Sequence, residues 1–288
     1  MCYAGKITEN GENMETQKKR LDYLLNKLKE DLIEYSSLEL PESYDERRRT
    51  LQTFMNIRMP RKISEEILLV QDEFLKEEVK EKGIVTLRQI PTIKQQYGSI
   101  HPFANRISIW QGDITRLRVG AIVNAANSQM LGCFIPCHKC IDNTIHSAAG
   151  MQLREECYEV MKKKRIQYGK NYEEPVGNAI VTKAYNLPAK YIIHTVGPMV
   201  DRKLNSELCE DLKNCYENVL RCAMEHNIRS VAFCCISTGE FQFPREVAAN
   251  IAVETVSSFL EKNKEHFDRI IFNVFKDWDK ELYKNRLA

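Results

Sequence analysis

Residues 131–146 read LGCFIPCHKCIDNTIH and place three cysteines and two histidines in sixteen positions. Within them Cys133, His138 and Cys140 form a Cys-x4-His-x-Cys run. Two thiolates and one imidazole suit tetrahedral zinc, and three protein ligands leave a fourth position for water or substrate, as catalytic rather than closed structural sites do. Cys137 offers a further sulfur that could complete a four-ligand site, although its adjacency to His138 makes simultaneous ligation geometrically awkward. Asp142 stands two residues after Cys140. A carboxylate there can take a proton from an activated water, orient the metal ligands, or cap the helix that IDNTIHSAAG predicts. His146 reads as a helix-face histidine satisfied by packing and hydrogen bonding.

Three further stretches put polar residues or glycine at the ends of apolar runs. They are Gly112-Asp113-Ile114-Thr115 after RISIWQ, Asn124-Ala125-Ala126-Asn127 after AIV, and Ser237-Thr238-Gly239-Glu240-Phe241 after VAFCCI. Each has an ordinary reading: an aspartate-capped turn, small residues for tight packing, and a strand-to-helix turn. The third also leads into a helix, where exposed backbone N–H groups and the positive dipole end favour an anion such as diphosphate.

The elements that must hold these residues follow from the apolar patterning. From about residue 104 the runs RISIWQG, AIVNAAN, AIVTKAY, YIIHTVG, SVAFCCI and RIIFNVF alternate with stretches long enough for helices. That pattern predicts an α/β sheet covered on both faces, with ligands at the carboxyl ends of its strands. PREVAANIAVETVSSFLEKN supplies one of the covering helices, with Pro244 near its first turn. Upstream, Leu21, Leu24, Leu25, Leu28, Leu32 and Tyr35 recur at helical spacing, and Ser64 and Gly83 read as the start and stop of a later helix. The segment 84–105, with Pro91 and Pro102, reads as a connection rather than a core element. The expected organisation is a flexible N-terminus over 1–17, a helical extension with its connection over 18–103, and the α/β unit over 104–288.

Composition narrows the function classes. A formal net charge of +2 gives no indication of a nucleic-acid or membrane-surface partner. The N-terminal sequence lacks a signal-peptide apolar core and no long apolar run occurs, so a cytoplasmic protein is expected. Its ten cysteines are then mostly free thiols; Cys215, Cys222, Cys234 and Cys235 lie in apolar patterns and read as small core residues.

Taken in order, GDIT at 112–115, AIVNAAN at 121–127, IDNTIHSAAG at 141–150, GNAIVTKAYNLPAKYIIHTVGP at 177–198 and ISTGEFQFP at 236–244 resemble the macrodomain family of ADP-ribose-binding modules. The resemblance implies a three-layer α/β/α fold with a mixed sheet, preceded here by the helical extension. It implies that Asp113 accepts a hydrogen bond from the adenine amino group beside the Ile114 backbone, and that Asn127 touches the distal ribose. Ser237, Thr238, Gly239, Glu240 and Phe241 would wrap the diphosphate. Hydrolytic macrodomains usually carry a glycine-rich loop before an aspartate followed four residues later by histidine; Asp142 and His146 keep that spacing, while the longer Cys/His loop replaces the glycines. That loop, with Arg20-Leu21-Asp22-Tyr23-Leu24-Leu25, resembles the zinc-dependent microbial macrodomains often encoded beside a sirtuin-type ADP-ribosyltransferase. For that subgroup the implied substrate is a mono-ADP-ribosylated protein, with a lipoyl carrier as candidate. Glu240 departs from the aliphatic residue common after STG; its carboxylate is expected to point to solvent.

Three function classes result: a zinc-dependent hydrolase removing mono-ADP-ribose from acidic side chains, with Asp142 and Asn127 at the reacting centre; a reader that binds ADP-ribose around a structural zinc; and an interaction protein docking through its helices. An open-position ligand set near the ribose favours the hydrolase.

Overall fold

The computed structural model describes residues 4–288, with side chains from Glu15 onward. The first three residues of the segment expected to be flexible lie outside that range, and from Ala4 the backbone already belongs to α1, Ala4–Asp31. α2, Tyr44–Ile57, starts at Ser43, whose Oγ accepts the Glu46 N–H at 3.3 Å. α3, Glu65–Glu81, is capped in the same way by Ser64 and ends just before Gly83, as expected. The leucine stripe of α1 packs against Leu51 and Phe54 of α2 and Phe74 and Leu75 of α3, a separate apolar core.

The connecting segment departs from expectation. It holds β1, Val85–Thr86, and α4, Ile93–Tyr97, and buries Ile90 and Ile93 in the main core. β1 pairs in parallel with β3, Leu117–Arg118. Prolines cut this stretch into pieces too short to show a period, so its core contribution is not visible as a pattern.

All six apolar runs are strands of one mixed sheet. They are β2, Ile107–Gln111; β4, Ala121–Ala126; β5, Ala179–Lys183; β6, Tyr191–Val196; β7, Ser230–Phe233; and β8, Arg269–Val274. The spatial order is β2-β8-β7-β4-β6-β5, with only β5 antiparallel to its neighbour. α5, Ile141–Ala149, and α6, Met151–Tyr168, lie between β4 and β5; α7, Ser206–Glu225, and α8, Arg245–Lys262, join β6 to β7 and β7 to β8. α9, Asp277–Leu287, packs beside α8. α5 packs against α6, and α7 packs against α8. The expected three-layer α/β/α architecture with an N-terminal helical extension is the one observed. Cys215, Cys222 and Cys234 are buried within it as small core residues, and Cys235 packs against the same core.

The chain leaves β4 toward one sheet edge and leaves its neighbour β7 toward the other. The crevice at the carboxyl ends of these two strands is therefore a topological switch point, where open α/β sheets bind ligands. The Cys/His loop and the Ser237–Phe241 loop both emerge there. Among the described residues, no helix is long and apolar enough to cross a membrane.

Candidate functional site

Asp142 lies in the first turn of α5 and is buried. Its Oδ1 accepts from the Asn124 amide at 2.8 Å and its Oδ2 from the Asn127 amide at 3.3 Å. The two asparagines of the NAAN stretch thus grip one carboxylate from the end of β4. Burial pushes the Asp142 carboxyl up to about 6, while the Asn124 hydrogen bond and the charge of Arg154 pull in the other direction. Asn127 also donates to Gly132 O at 3.2 Å and accepts from Gln129 N at 3.0 Å.

Asn124 stands in register with His194 of β6, and its Nδ2 lies 3.0 Å from His194 Nδ1. His194 Nε2 lies 2.9 Å from Thr182 Oγ1. With Nδ1 accepting and Nε2 donating, His194 is a neutral imidazole, and burial holds it at about 3. His146 does not meet its expectation: it is packed, but both ring nitrogens are buried without a hydrogen-bond partner among the described residues. The nearest carboxylate oxygen, Asp142 Oδ1, is 3.5 Å from Nε2. Burial is the main cause that keeps His146 far below the ordinary imidazole range, and the Arg154 guanidinium acts in the same direction. A Cβ at Gly132 would fall 2.8 Å from this ring, and Gly132 has φ +78°, so only glycine fits that approach.

The sulfur and nitrogen atoms of Cys133, His138 and Cys140 lie within 4.8 Å of one another. His138 Nδ1 is 3.5 Å from Cys133 Sγ, and Cys140 is the N-cap of α5, its Sγ accepting the Asn143 N–H at 3.3 Å. Burial pushes the Cys140 thiol up to about 12, with Cys133 and Asp142 adding to the effect. A divalent cation reverses that balance by displacing the proton, and two sulfurs with one imidazole at this spacing fit such an ion. Cys137 turns the other way: its Sγ lies 3.4 Å from Arg49 O and 3.5 Å from Thr53 Oγ1, both on α2. The gathered donor set is therefore Cys133, His138 and Cys140 without Cys137. A second grouping, His146, Cys157 and His194, is fully buried, but both His194 nitrogens are already engaged.

The loop after β7 faces this cluster. Glu240 Oε1 lies 3.6 Å from His138 Nε2, so its carboxylate, although largely exposed, reaches the facing loop instead of simply entering solvent as expected. Ser237 has φ +62° and a buried Oγ without a partner among the described residues. The amides of Gly239, Glu240 and Phe241 donate to no protein acceptor among the described residues. No protein atom lies within 4 Å of a Cβ built on Gly239, so packing does not require glycine there. Asp113 caps the turn Ile114–Arg116: Oδ1 accepts from Thr115 N at 3.0 Å and Thr115 Oγ1 at 2.6 Å. Ile114 is buried beneath it. Asp113 also borders a cleft of about 230 Å³ shared with Gln52 of α2 and Val79 of α3.

Sequence reading missed Asn124 and His194 as supports of Asp142. Their one available signal was a polar residue inside an otherwise apolar strand, which requires a partner when buried. Arg154 and Asn56, both buried beside the Cys/His loop, were also missed. Asn56 lies far from that loop in sequence, and neither residue carries a motif.

A family model described as Macro domain matches residues 123–252. The chain is 42% identical over 274 residues to a protein from Treponema medium named protein-ADP-ribose hydrolase, covering 95% of this chain and 100% of that one. A Staphylococcus aureus protein of the same name is 42% identical over 277 residues, covering 96% and 98%. Among solved structures, a Trypanosoma brucei macrodomain in complex with ADP-ribose aligns with TM-score 0.61 and 26% identity, covering 85% of this chain and 96% of that one.

Proposed function

The chain belongs to the macrodomain family, and from that premise we propose that it is a zinc-dependent hydrolase that releases mono-ADP-ribose from acidic side chains of modified proteins. The observation that carries this reading is the meeting, at one switch-point crevice, of the buried Asp142 carboxylate, the Cys133/His138/Cys140 donors and the loop around Gly239. The protein-ADP-ribose hydrolase name of its full-length relatives supports hydrolysis over simple binding. Cys133, His138 and Cys140 would hold the zinc ion, which would supply a Lewis acid beside the reacting sugar.

The other roles fall to the chain itself. The amides of Gly239, Glu240 and Phe241 and the adjoining helix α8 favour the diphosphate, and the missing Cβ at Gly239 lets the backbone approach it. Asp113 retains Oδ2 for the adenine amino group, beside the Ile114 backbone. Asn127 orients the distal ribose and, with Asn124, fixes Asp142. In the reaction, water oxygen bonds the anomeric carbon, the bond from that carbon to the protein carboxylate breaks, and the carboxylate departs as an anion. Asp142 takes the water's proton.

The Cys/His loop and the Arg20–Leu25 segment support a sirtuin-like ADP-ribosyltransferase as the source of substrate and a lipoyl carrier as the modified protein. Release of labelled ADP-ribose from a carboxylate-modified protein tests the central reading. Wild type should release it, His138→Ala should abolish release, and Asp142→Ala should reduce it severely while affinity for free ADP-ribose changes little. Wild type that binds ADP-ribose yet releases none would make this chain a reader.

A further inference from the structure

The Cys/His loop is seated on the N-terminal helices as well as on the sheet. Arg154 of α6, itself buried, donates from Nη1 to the carbonyls of Met55, Asn56 and Arg58 at 3.0, 2.5 and 2.9 Å. Its Nη2 reaches Cys133 O at 3.3 Å, and its guanidinium lies 4.3 Å from the centroid of the Phe134 ring. One planar cation thus joins the carbonyl end of α2, where the helix dipole is negative, to the first metal-donor residue of the loop.

Asn56, at the same helix end, accepts the Cys137 N–H on Oδ1 at 3.0 Å and donates to Ser147 Oγ at 3.0 Å. Cys137 has φ +51°, a conformation unfavourable for a residue with a Cβ, and the Asn56 bond holds it there immediately before His138. Gln52 donates to Asn143 Oδ1 at 3.1 Å, and Asn143 in turn donates to Ile135 O at 3.0 Å. The loop lacks helix or strand from Cys133 to Lys139, so its conformation depends on these side chains.

We propose that Arg154 and Asn56 are positioning residues of the metal centre, making the N-terminal helical unit part of the catalytic apparatus. The inference rests on the reading of Cys133, His138 and Cys140 as metal donors. Donors on an irregular loop bind an ion tightly only when their surroundings hold them in place, and loss of such support typically costs about 10–100-fold in metal affinity or activity.

The test uses the full chain with Asn56→Ala, Arg154→Met and Arg154→Lys, each checked for folding by thermal melting. Zinc affinity is measured by competition with a chromophoric chelator, loop order by amide exchange over residues 133–140, and turnover as separate kcat and KM. Asn56→Ala and Arg154→Met should weaken zinc about tenfold or more and speed exchange in the loop. Their kcat should fall by about tenfold while KM stays within about twofold. Arg154→Lys, still able to donate to the helix carbonyls, should recover much of the loss. Folded Asn56→Ala with wild-type zinc affinity, exchange and kcat overturns the proposal, and it carries the test if Arg154→Met does not fold. Wild type without zinc would instead sink the metal reading, and loop exchange in the variants would still judge positioning.

Discussion

Asn124 and His194 stand opposite one another on β4 and β6, and the Asn124 amide is shared between His194 Nδ1 at 3.0 Å and Asp142 Oδ1 at 2.8 Å. Sheet register therefore decides where the carboxylate points. Asn124→Ala should strip Asp142 of its shorter amide bond and leave a buried carboxylate poorly satisfied. The expected cost is about 1–3 kcal/mol of stability, together with a marked fall in kcat. Denaturant unfolding and single-turnover release would read the two effects; an unchanged rate in the folded variant would remove Asn124 from the support of Asp142.

The direction of Cys137 gives a discriminating metal prediction. Purified protein should carry about one zinc per chain by elemental analysis, as a single three-donor site requires. Cys140→Ala should lose it. Cys137→Ala should keep it, because that sulfur faces Arg49 and Thr53 on α2. Equal zinc in wild type and Cys140→Ala, or loss of zinc in Cys137→Ala, would contradict the assigned donor set.

Asp113→Ala should weaken ADP-ribose binding by roughly 1.5–3 kcal/mol through loss of a charged hydrogen bond. Gly239→Val should also weaken binding but leave thermal stability nearly unchanged, since neither a close protein contact nor a positive φ requires glycine at that position. Calorimetry with free ADP-ribose separates these outcomes. Wild-type affinity in a folded Gly239→Val protein would place the diphosphate elsewhere.

The buried histidines make stability acid-sensitive. His194 is held at about 3 by burial, and His146 is also held well below 6.5. As pH falls below about 6.5, the unfolded chain takes up protons at both positions and the folded chain does not, so stability is lost toward acid. Each imidazole contributes a slope of about 1.4 kcal/mol per pH unit well below its unfolded pKa and above its folded one. Urea unfolding between pH 5.5 and 4 should show this fall, and a folded His194→Gln variant should show a shallower one. Equal slopes would mean that His194 is protonated in the native state.

Local patterning was enough to find the strands, the sheet class and the loops that carry chemistry. Apolar runs bounded by polar residues must be buried as strands, and side-chain spacing over a few residues brings Cys133, His138 and Cys140 into one loop. Ser64 and Gly83 likewise marked a helix through purely local requirements. Tertiary structure decided what those residues face. Whether Cys137 joins the other sulfurs depends on α2, Asn124 meets Asp142 only through β4 and α5, and His146 is left without partners by the surrounding packing. Arg154 reaches α2 across nearly a hundred residues of sequence. Hydrogen bonds of that kind arise when separate elements are packed together; side-chain identity specifies a donor or acceptor, but only the fold supplies its partner.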